Sequence, residues 1–343
     1  MITQSAEFRQ ISTTNKANSA HSWQSELRQC ITDPTELLSL LNLDVALLDG
    51  AKRAAHCFPL KVTRSFVRRM QKGDPNDPLL RQVLPLDAEV QDQPGYIADP
   101  TGDIDAMTVP GVLHKYHGRT LLITTPACAI NCRYCFRREY PYSDGQAGKD
   151  QWQQALEYIA NDSSVAEVIL SGGDPLMLSD ARLGQLIDAL GAIPHVRRLR
   201  FHTRLPIVLP RRICTEFLQM LLHTRLQCVM VVHCNHAAEL DDEVRLALQQ
   251  IDGTQTMLLN QSVLLRGVND SVDTLSTLSE SLVDARVHPY YLHILDKVRG
   301  ASHFDVDLEV AKSIHTRLRQ QLPGYMVPRL VREDRLSPSK TIV

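Results

Sequence analysis

RTLLITTPACAINCRYC, at residues 119–135, joins a short apolar run to three closely spaced cysteines. The run at 119–125 is rich in Leu, Ile and Thr and is followed at once by a proline, which is typical of a buried β-strand. Because the cysteines come directly after it, we expect them on a loop at the C-terminal end of that strand. A loop in this position can bring several thiols to one point.

Further apolar runs follow, and amphipathic stretches with helical spacing separate them. The strand-like runs cover 119–125, 166–173, 197–203, 226–234, 256–264 and 287–295, and the helix-like stretches cover 151–162, 180–193, 215–225, 242–253, 273–286 and 307–322. The expected helix N-caps are Asp180, Thr215, Asp242 and Asp273. Continuous apolar runs that alternate with helices are typical of a parallel sheet with right-handed crossovers. Six units fall short of a closed eight-unit barrel, so we expect an α/β fold, a partial (β/α)6 barrel, with a doubly wound open sheet as the alternative.

The pattern divides the 343 residues into three parts. Residues 1–95 contain helical segments without strand-like runs and are expected to form a helical N-terminal extension. Residues 96–325 carry the strand–helix units and form the predicted barrel core. Residues 326–343 show no strong period and form a separate C-terminal segment. This length is consistent with two domains or one large one.

Composition excludes several classes of protein. The 37 Lys and Arg against 39 Asp and Glu give a net charge of −2, which argues against a broadly cationic nucleic-acid binder. No apolar run approaches the roughly 18 residues of a membrane span, and the start lacks the pattern of a signal peptide. We therefore expect a cytoplasmic protein without nucleic-acid or membrane partners. In a reducing cytoplasm the eight cysteines are not expected to form structural disulfides, and the five dispersed ones are expected to be buried.

Cys128, Cys132 and Cys135 form the pattern C-x3-C-x2-C. Three thiolates can ligate three corners of a [4Fe–4S] cluster, which leaves the fourth iron open to a small molecule. A tetrahedral zinc site would require a fourth Cys or His at a fixed spacing, and none lies close by in the sequence. The residues favour the cluster, while zinc and three unrelated cysteines remain the alternatives.

With Tyr134 before the last cysteine, this triplet resembles that of the radical S-adenosylmethionine (SAM) superfamily. The segment Ser171–Leu176 ends the second strand-like run and resembles the glycine-rich strand of that superfamily. The resemblance implies that SAM chelates the open iron and is cleaved by one electron to a 5′-deoxyadenosyl radical. It also implies that Gly172, Gly173 and Asp174 help to bind the methionyl end of SAM.

Further motifs resemble the lysine 2,3-aminomutases. They are VPGVLHKYHGRTLLI, CRYCFRR, SGGDPL, LNQSVLLRGVND and PYYLHILDKVRGASHF, and they span most of residues 95–340. The resemblance implies that pyridoxal phosphate works together with the adenosyl radical. It further implies that the amino group of L-lysine migrates from carbon 2 to carbon 3.

Pyridoxal phosphate requires a lysine that binds it covalently. The resemblance assigns this role to Lys340, in LSPSKTIV, and implies that the C-terminal segment folds back across the barrel mouth. Tyr116 and Arg119 match positions that contact the ring and the phosphate. Lys115 aligns with a further phosphate-binding arginine, which is a departure because lysine lacks the bidentate fork of arginine.

The resemblance also assigns residues to the substrate and to SAM. Arg137 matches the arginine that pairs with the substrate carboxylate, and Asp296 and Glu333 match acids that face its distal ammonium. Two acids directed at one ammonium would favour lysine over uncharged amino acids. His233 and Gln261 match positions that contact SAM.

Departures from the longer free-lysine enzymes narrow the resemblance. The chain has Ser337–Ser339 where those enzymes carry a glycine run, it ends at Val343 without their cysteine-bearing extension, and Ser271 replaces a zinc ligand. It thus resembles the shorter bacterial branch, which implies (R)-β-lysine production for the ligase that modifies elongation factor P. We expect a monomer or simple oligomer and an electron donor such as flavodoxin or ferredoxin. The alternatives are an aminomutase for free-lysine metabolism or another amino acid, and a non-enzymatic cysteine–metal module.

Overall fold

The computed structural model describes residues 22–142, 149–335 and 337–343. Its strands are β1 Met107–Val109, β2 Val112–Tyr116, β3 Arg119–Thr125, β4 Glu167–Gly172, β5 Arg198–Thr203, β6 Gln227–Val232, β7 Met257–Val263, β8 His288–His293, β9 Arg329–Arg332 and β10 Thr341–Ile342. They form one sheet in which spatial order follows chain order, and β3 to β9 run parallel. A doubly wound sheet would reverse its strand order at a switch point. The sheet is open between its edge strands β1 and β10, which confirms the predicted partial barrel.

Helices connect the parallel strands on the outside of the sheet and cover the N-terminal region. They are α1 Trp23–Arg28, α2 Pro34–Leu40, α3 Leu48–Cys57, α4 Arg64–Val67, α5 Pro78–Arg81, α6 Lys149–Asn161, α7 Asp180–Gly191, α8 Leu205–Val208, α9 Thr215–His223, α10 Asp242–Asp252, α11 Val272–Asp284 and α12 Leu308–Gln321. Short 3₁₀ turns occur at Val45–Leu47, Asp87–Val90, Pro175–Met177, Pro210–Arg212, Ala237–Glu239, Ser302–Phe304 and Gly324–Met326. Within the described ranges, no helix has the length and apolar character needed to cross a bilayer.

The predicted N-caps are wrong by one or two residues. The helices begin after Ser179, Cys214, Asp241 and Ser271. The side chains of Ser179, Asp241 and Ser271 each accept a hydrogen bond from a backbone amide three residues ahead. In each of these three helices the N-cap is therefore an extended residue with a side-chain oxygen, and it lies one or two positions before the predicted cap.

The end of β4 approaches the cysteine loop closely because it carries two glycines. Gly172 has a φ of +121°, and a Cβ there would lie 2.7 Å from the carbonyl oxygen of Thr125. A Cβ at Gly173 would collide with the backbone of Pro126 and Ala127. The amide of Gly173 donates to the Thr125 oxygen at 2.7 Å. These glycines thus allow the β4 turn to pack against the backbone that leads to the cysteines.

The N-terminal helices share one apolar core with the barrel. Trp23, Phe66 and Leu79 are buried in the same cluster as Phe201 of β5 and Val232 of β6. The hydrophobic core of the described chain is therefore continuous across the predicted boundary at residue 95.

A buried carboxylate joins this N-terminal region to the cysteine loop. Glu89 accepts from Nε of Arg133 at 2.9 Å and from Nη2 of Arg138 at 2.8 Å. Arg133 also donates from Nη1 to the carbonyl oxygen of Phe58 at 2.7 Å. Removal of one partner from such a buried pair typically costs about 3–5 kcal/mol, so these contacts hold the loop firmly against the helices.

The C-terminal segment forms a hairpin beside the last barrel strand. β9 pairs in parallel with β8, and β10 pairs antiparallel with β9. Residues 333–340 connect the two strands, with residue 336 outside the described set. The segment thereby returns to the C-terminal edge of the sheet, where the sequence pattern alone predicted no strand.

All eight cysteines are free thiols. Of the five dispersed ones, only Cys228 and Cys234 are buried, while Cys57 is exposed and Cys30 and Cys214 are half-buried. The expectation that all five are buried is wrong for the three that lie closer to the surface.

Candidate active site

A cavity of about 800 Å³ opens at the C-terminal ends of the parallel strands. This volume lies within the roughly 300–1,000 Å³ that is typical of small-molecule sites. Every site residue predicted from the sequence lines this cavity, namely Tyr116, Arg119, Cys128, Cys132, Cys135, Arg137, Gly172, Gly173, Asp174, His233, Gln261, Asp296, Glu333 and Lys340. Residues between positions 116 and 340 of the chain therefore meet in one space.

The cysteine loop forms one wall of the cavity. Cys128, Cys132 and Cys135 follow β3, and the amide of Cys135 donates to the Cys132 oxygen at 3.0 Å. Burial, then the neighbouring thiol of Cys132, raise the pKa of Cys135 to about 11. A bound metal deprotonates such thiols through its own charge. These groups are therefore suited to ligate a metal centre.

The spacing of these thiols differs from that of a single-ion site. In the described residues, only Asp180, Cys214 and Glu216 offer three ligand atoms within 4.8 Å of one another. Ligands of one tetrahedral zinc would lie about 3.8 Å apart, given a Zn–S bond of about 2.3 Å. At least one pair of the three cysteine sulfurs therefore lies more than 4.8 Å apart, farther than two ligands of one zinc ion.

The sequence did not predict the polar network behind Cys132. Arg204 donates from Nη1 to Sγ of Cys132 at 2.8 Å, and from Nη2 to Gln82 at 2.6 Å and to Glu239 at 3.0 Å. Asn235 also donates to Gln82 at 3.0 Å. These residues come from four separate parts of the chain, so no local motif signals them.

Asp174 is occupied by contacts within the protein. Its carboxylate accepts from the hydroxyl of Thr203 at 2.7 Å, from the amide of Arg204 at 2.7 Å and from the amide of Leu176 at 3.0 Å. Burial raises the pKa of Asp174 to about 6, against the effect of these hydrogen bonds. Asp174 thus fixes the turn after β4 to the end of β5, while its side chain lines the cavity.

His233 and Gln261 follow or lie on neighbouring strands and contact each other. The Nε2 atoms of the two side chains lie 2.7 Å apart. Burial lowers the pKa of His233 to about 3, so the imidazole is neutral and can accept from the Gln261 amide. The structure brings together the two residues expected to contact SAM.

Lys340 reaches the cavity from the C-terminal hairpin. Its Nζ donates to Oε2 of Glu333 at 2.5 Å and lies 6.0 Å from the ring centre of Tyr291. The other carboxylate oxygen of Glu333 accepts from the hydroxyl of Tyr116. Burial raises the pKa of Glu333, but Lys340 and these hydrogen bonds outweigh burial and hold it below its ordinary value. Glu333 is therefore an ionised carboxylate with two partners.

Arg119 presents an unengaged guanidinium. It lies 4.7 Å from the ring centre of Tyr116. Among the described residues it makes no hydrogen bond or ion pair, although it lines the cavity. A stacked arginine with free donors is suited to bind an anionic group such as a phosphate.

Arg137 is held by a buried acid that the sequence analysis missed. Its Nε donates to Asp103 at 2.7 Å, and its Nη1 donates to Ser171 Oγ at 3.0 Å. Lys115, expected near a phosphate, donates to the other oxygen of Asp103 at 2.6 Å. Nη2 of Arg137 makes no hydrogen bond within the described part of the chain. The guanidinium of Arg137 is thus oriented by Asp103 and Ser171, and its Nη2 group remains available for a ligand.

Asp296 follows β8 and differs from the other acids of the cavity. Its carboxylate makes no hydrogen bond or ion pair with any described residue. Burial raises its pKa to about 7, and nearby Lys340 opposes this rise. A half-buried carboxylate that lines the cavity without a partner is suited to receive a cationic group of a ligand.

Comparisons with known proteins agree with one another. A sequence model of the radical SAM superfamily matches residues 122–222. An L-lysine 2,3-aminomutase of Escherichia coli (strain K12) is 50% identical over 325 residues, which cover 94% of each chain. One of Haemophilus influenzae is 46% identical and covers 93% of this chain and 95% of that protein. One of Clostridium subterminale is 34% identical and covers 90% of this chain but 74% of that protein.

Proposed function

The chain belongs to the lysine 2,3-aminomutase family of radical SAM enzymes, and from this membership we propose that it isomerises L-α-lysine to β-lysine. One observation carries the proposal. The cavity that contains three cysteines on one wall also contains a lysine amine, a partly free arginine and an unpaired carboxylate. This arrangement matches a reaction that needs a metal cluster, a carbonyl cofactor and an amino acid with a carboxylate at one end and an ammonium at the other.

We propose that Cys128, Cys132 and Cys135 ligate the [4Fe–4S] cluster implied by the family. A pair of these sulfurs more than 4.8 Å apart fits a cluster better than a single ion. His233 and Gln261, with the glycine turn after β4, are proposed to contact SAM. Together the cluster and SAM supply a one-electron cleavage that yields a carbon radical able to abstract hydrogen.

Lys340, Arg119 and Tyr116 fit the pyridoxal phosphate implied by the family. Lys340 offers its amine inside the cavity, Arg119 offers free donors for a phosphate, and Tyr116 offers an aromatic ring. When bound, pyridoxal phosphate would supply a conjugated π-system able to delocalise an unpaired electron. The residues of the chain bind and orient this cofactor and exclude water around it.

The two ends of lysine are proposed to meet opposite charges. Arg137 would bind the α-carboxylate through Nη2, with Asp103 and Ser171 fixing its orientation. Asp296 and Glu333 supply negative charge to the part of the cavity that would face the distal ammonium. An uncharged side chain would cover the Asp296 carboxylate without pairing with it, which disfavours binding of that amino acid.

We also propose a separate role for each of the three parts of the chain. Of residues 1–95, the described part from residue 22 onward supports the cysteine loop through the contacts of Glu89 and Gln82. Residues 96–325 form the radical SAM barrel, and residues 326–343 deliver Lys340 to it.

The product is proposed to be (R)-β-lysine, made in the cytoplasm for the ligase that modifies elongation factor P. A flavodoxin or ferredoxin is proposed as the electron donor. These assignments rest on the sequence resemblance to the shorter bacterial branch. The Escherichia coli and Haemophilus influenzae relatives align with this chain over 94% and 95% of their own lengths, which supports the resemblance to a shorter branch.

The test is anaerobic reconstitution with iron, sulfide, pyridoxal phosphate, SAM and a reductant. After L-lysine is added, chiral chromatography should detect (R)-β-lysine, and Cys132→Ala should abolish both the product and the iron–sulfur absorbance. Cys228→Ala, which alters a buried cysteine outside the cavity, is the matched control. Protein that contains zinc without iron or sulfide, or that leaves lysine unchanged, would contradict the proposal.

A further inference from the structure

Tyr142 lines the cavity, and the proposed function gives it no role. It comes shortly after the cysteine loop and shares the cavity wall with Cys135 and Arg137. Its hydroxyl donates to the carbonyl oxygen of Gly172 at 2.9 Å, across 30 positions of the sequence. The Tyr142 hydroxyl therefore links the segment after the cysteines directly to the end of β4.

The hydroxyl of Tyr142 is a hydrogen-bond donor at neutral pH. Burial raises its pKa above the ordinary value, although nearby Arg137 opposes the rise. Arg137 in turn donates from Nη1 to Oγ of Ser171, the residue just before Gly172. Two consecutive residues at the end of β4 are thus held by side chains that follow the cysteine loop.

The glycine turn after β4, Ser171–Asp174, is held on one side by backbone contacts. The amide of Gly173 donates to the carbonyl oxygen of Thr125 at 2.7 Å, which ties the turn to the end of β3. Gly172 has a φ of +121°, and the conformational freedom of glycine leaves the direction of its carbonyl weakly determined. The hydrogen bond from Tyr142 fixes that carbonyl from the other side of the turn.

Tyr140 provides a comparison within the same segment. Its ring packs against that of Tyr142, with the ring centres 4.9 Å apart and the planes at 64°. The hydroxyl of Tyr140 is buried and has no hydrogen-bond partner among the described residues. The two tyrosines therefore share one aromatic contact, but of the two only Tyr142 uses its hydroxyl to hold another part of the chain.

We propose that Tyr142 is a positioning residue for SAM, because its hydroxyl fixes the carbonyl of Gly172 and so keeps the glycine turn in the conformation that receives this ligand. The inference rests on the proposed function, which places SAM at that turn. The cysteine loop is held separately by Glu89, and Lys340 comes from the hairpin on another wall. Loss of the Tyr142 hydroxyl should therefore weaken SAM binding and leave the loading of iron and pyridoxal phosphate unchanged.

The test compares Tyr142→Phe with Tyr140→Phe in the full chain. Both are reconstituted anaerobically with iron, sulfide and pyridoxal phosphate, and equilibrium dialysis with radiolabelled SAM measures the Kd without reductant. Tyr142→Phe should raise the Kd of SAM about three- to tenfold, as expected for the loss of one hydrogen bond. Tyr140→Phe should leave the Kd within about twofold of the wild-type value, because its hydroxyl has no partner among the described residues.

The contents of iron and pyridoxal phosphate separate this role from general support of the fold. Both should stay at the wild-type level in Tyr142→Phe, whereas a residue that only stabilises the fold would lower them together with SAM binding. An unchanged Kd, an equal effect of the two variants, or a loss of iron or of soluble protein in Tyr142→Phe would overturn the inference. A wild-type holoenzyme that binds no SAM would instead contradict the proposed function.

Discussion

Arg204 donates a hydrogen bond from Nη1 to Sγ of Cys132 across 2.8 Å. Its guanidinium is buried, is held by Glu239 and Gln82, and lies 5.7 Å from the ring centre of Tyr134. A fixed cation thus stands behind one of the three thiols. Hydrogen bonds to ligand sulfurs and nearby charges tune the potentials of iron–sulfur clusters. Under the proposal that Cys132 ligates the cluster, Arg204 is a positioning residue for the cluster environment.

Arg204→Lys should make the cluster harder to reduce. A lysine ammonium cannot contact Cys132, Glu239 and Gln82 together, as the arginine guanidinium does. The sulfur of Cys132 would then lose a hydrogen-bond donor that stabilises the added negative charge of the reduced cluster. We expect a more negative midpoint potential in a redox titration followed by electron paramagnetic resonance, with iron content retained. Arg211→Lys changes an arginine that is 46% exposed and serves as the control. An unchanged potential in the Arg204 variant would show that the contact does not tune the cluster.

Gly173→Ala should destabilise the protein. The added Cβ would meet the backbone of Pro126 and Ala127, which cannot rotate away as a side chain could. Overpacking of this kind costs about 1–3 kcal/mol, and the displaced cysteine loop should also bind less iron. Urea unfolding and iron analysis measure the two effects. Gly191→Ala, at the end of α7 with no atom within 4 Å of the new Cβ, should be neutral or stabilising.

Local patterns predicted the barrel well but not the contacts between distant segments. The first parallel strand occupies 119–125 as expected, because Arg119 and Pro126 bound a clear apolar run. The hairpin at 329–342 was missed, since strands of four and two residues are too short to show a period. Asp103 contacts Arg137 across 34 positions, and Arg204 contacts Cys132 across 72. Such pairs depend on the tertiary fold and leave no local signal.

The place of Lys340 could be expected only from the family resemblance. By composition alone a lysine three residues from Val343 is an ordinary surface residue. The hairpin pairing of β9 and β10 is what brings it into the cavity. The resemblance was therefore needed to predict this part of the site, and the physical cause became visible only in the structure.

Lysine binding should weaken as pH falls below about 7. Burial raises the pKa of Asp296 to about 7, although Lys340 opposes the rise. Below that pH the carboxyl is protonated in the ligand-free enzyme and cannot pair with an ammonium. The Kd of lysine should then increase by up to about tenfold per pH unit, as measured by absorbance titration between pH 5.5 and 8.5.

Norleucine provides the internal control for this pH dependence. It has no distal ammonium, so protonation of Asp296 should not weaken its binding. Other groups that titrate in this range, such as Asp174 with a pKa of about 6, affect both ligands alike. The ratio of the two Kd values should therefore change with pH in the wild type and stay constant in Asp296→Asn. A constant ratio in the wild type would contradict the assignment of Asp296.

Lys340→Ala should remove the covalently held cofactor and leave the cluster in place. The amine of Lys340 approaches from the hairpin, while the cysteines lie on the loop after β3 and are held by Glu89 and Arg204. The variant should lose the yellow form that borohydride traps, yet bind iron as the wild type does. Lys312→Ala, on the exposed face of α12, is the matched control and should keep both. Pyridoxal phosphate that is still trapped covalently in Lys340→Ala would show that another lysine is the anchor.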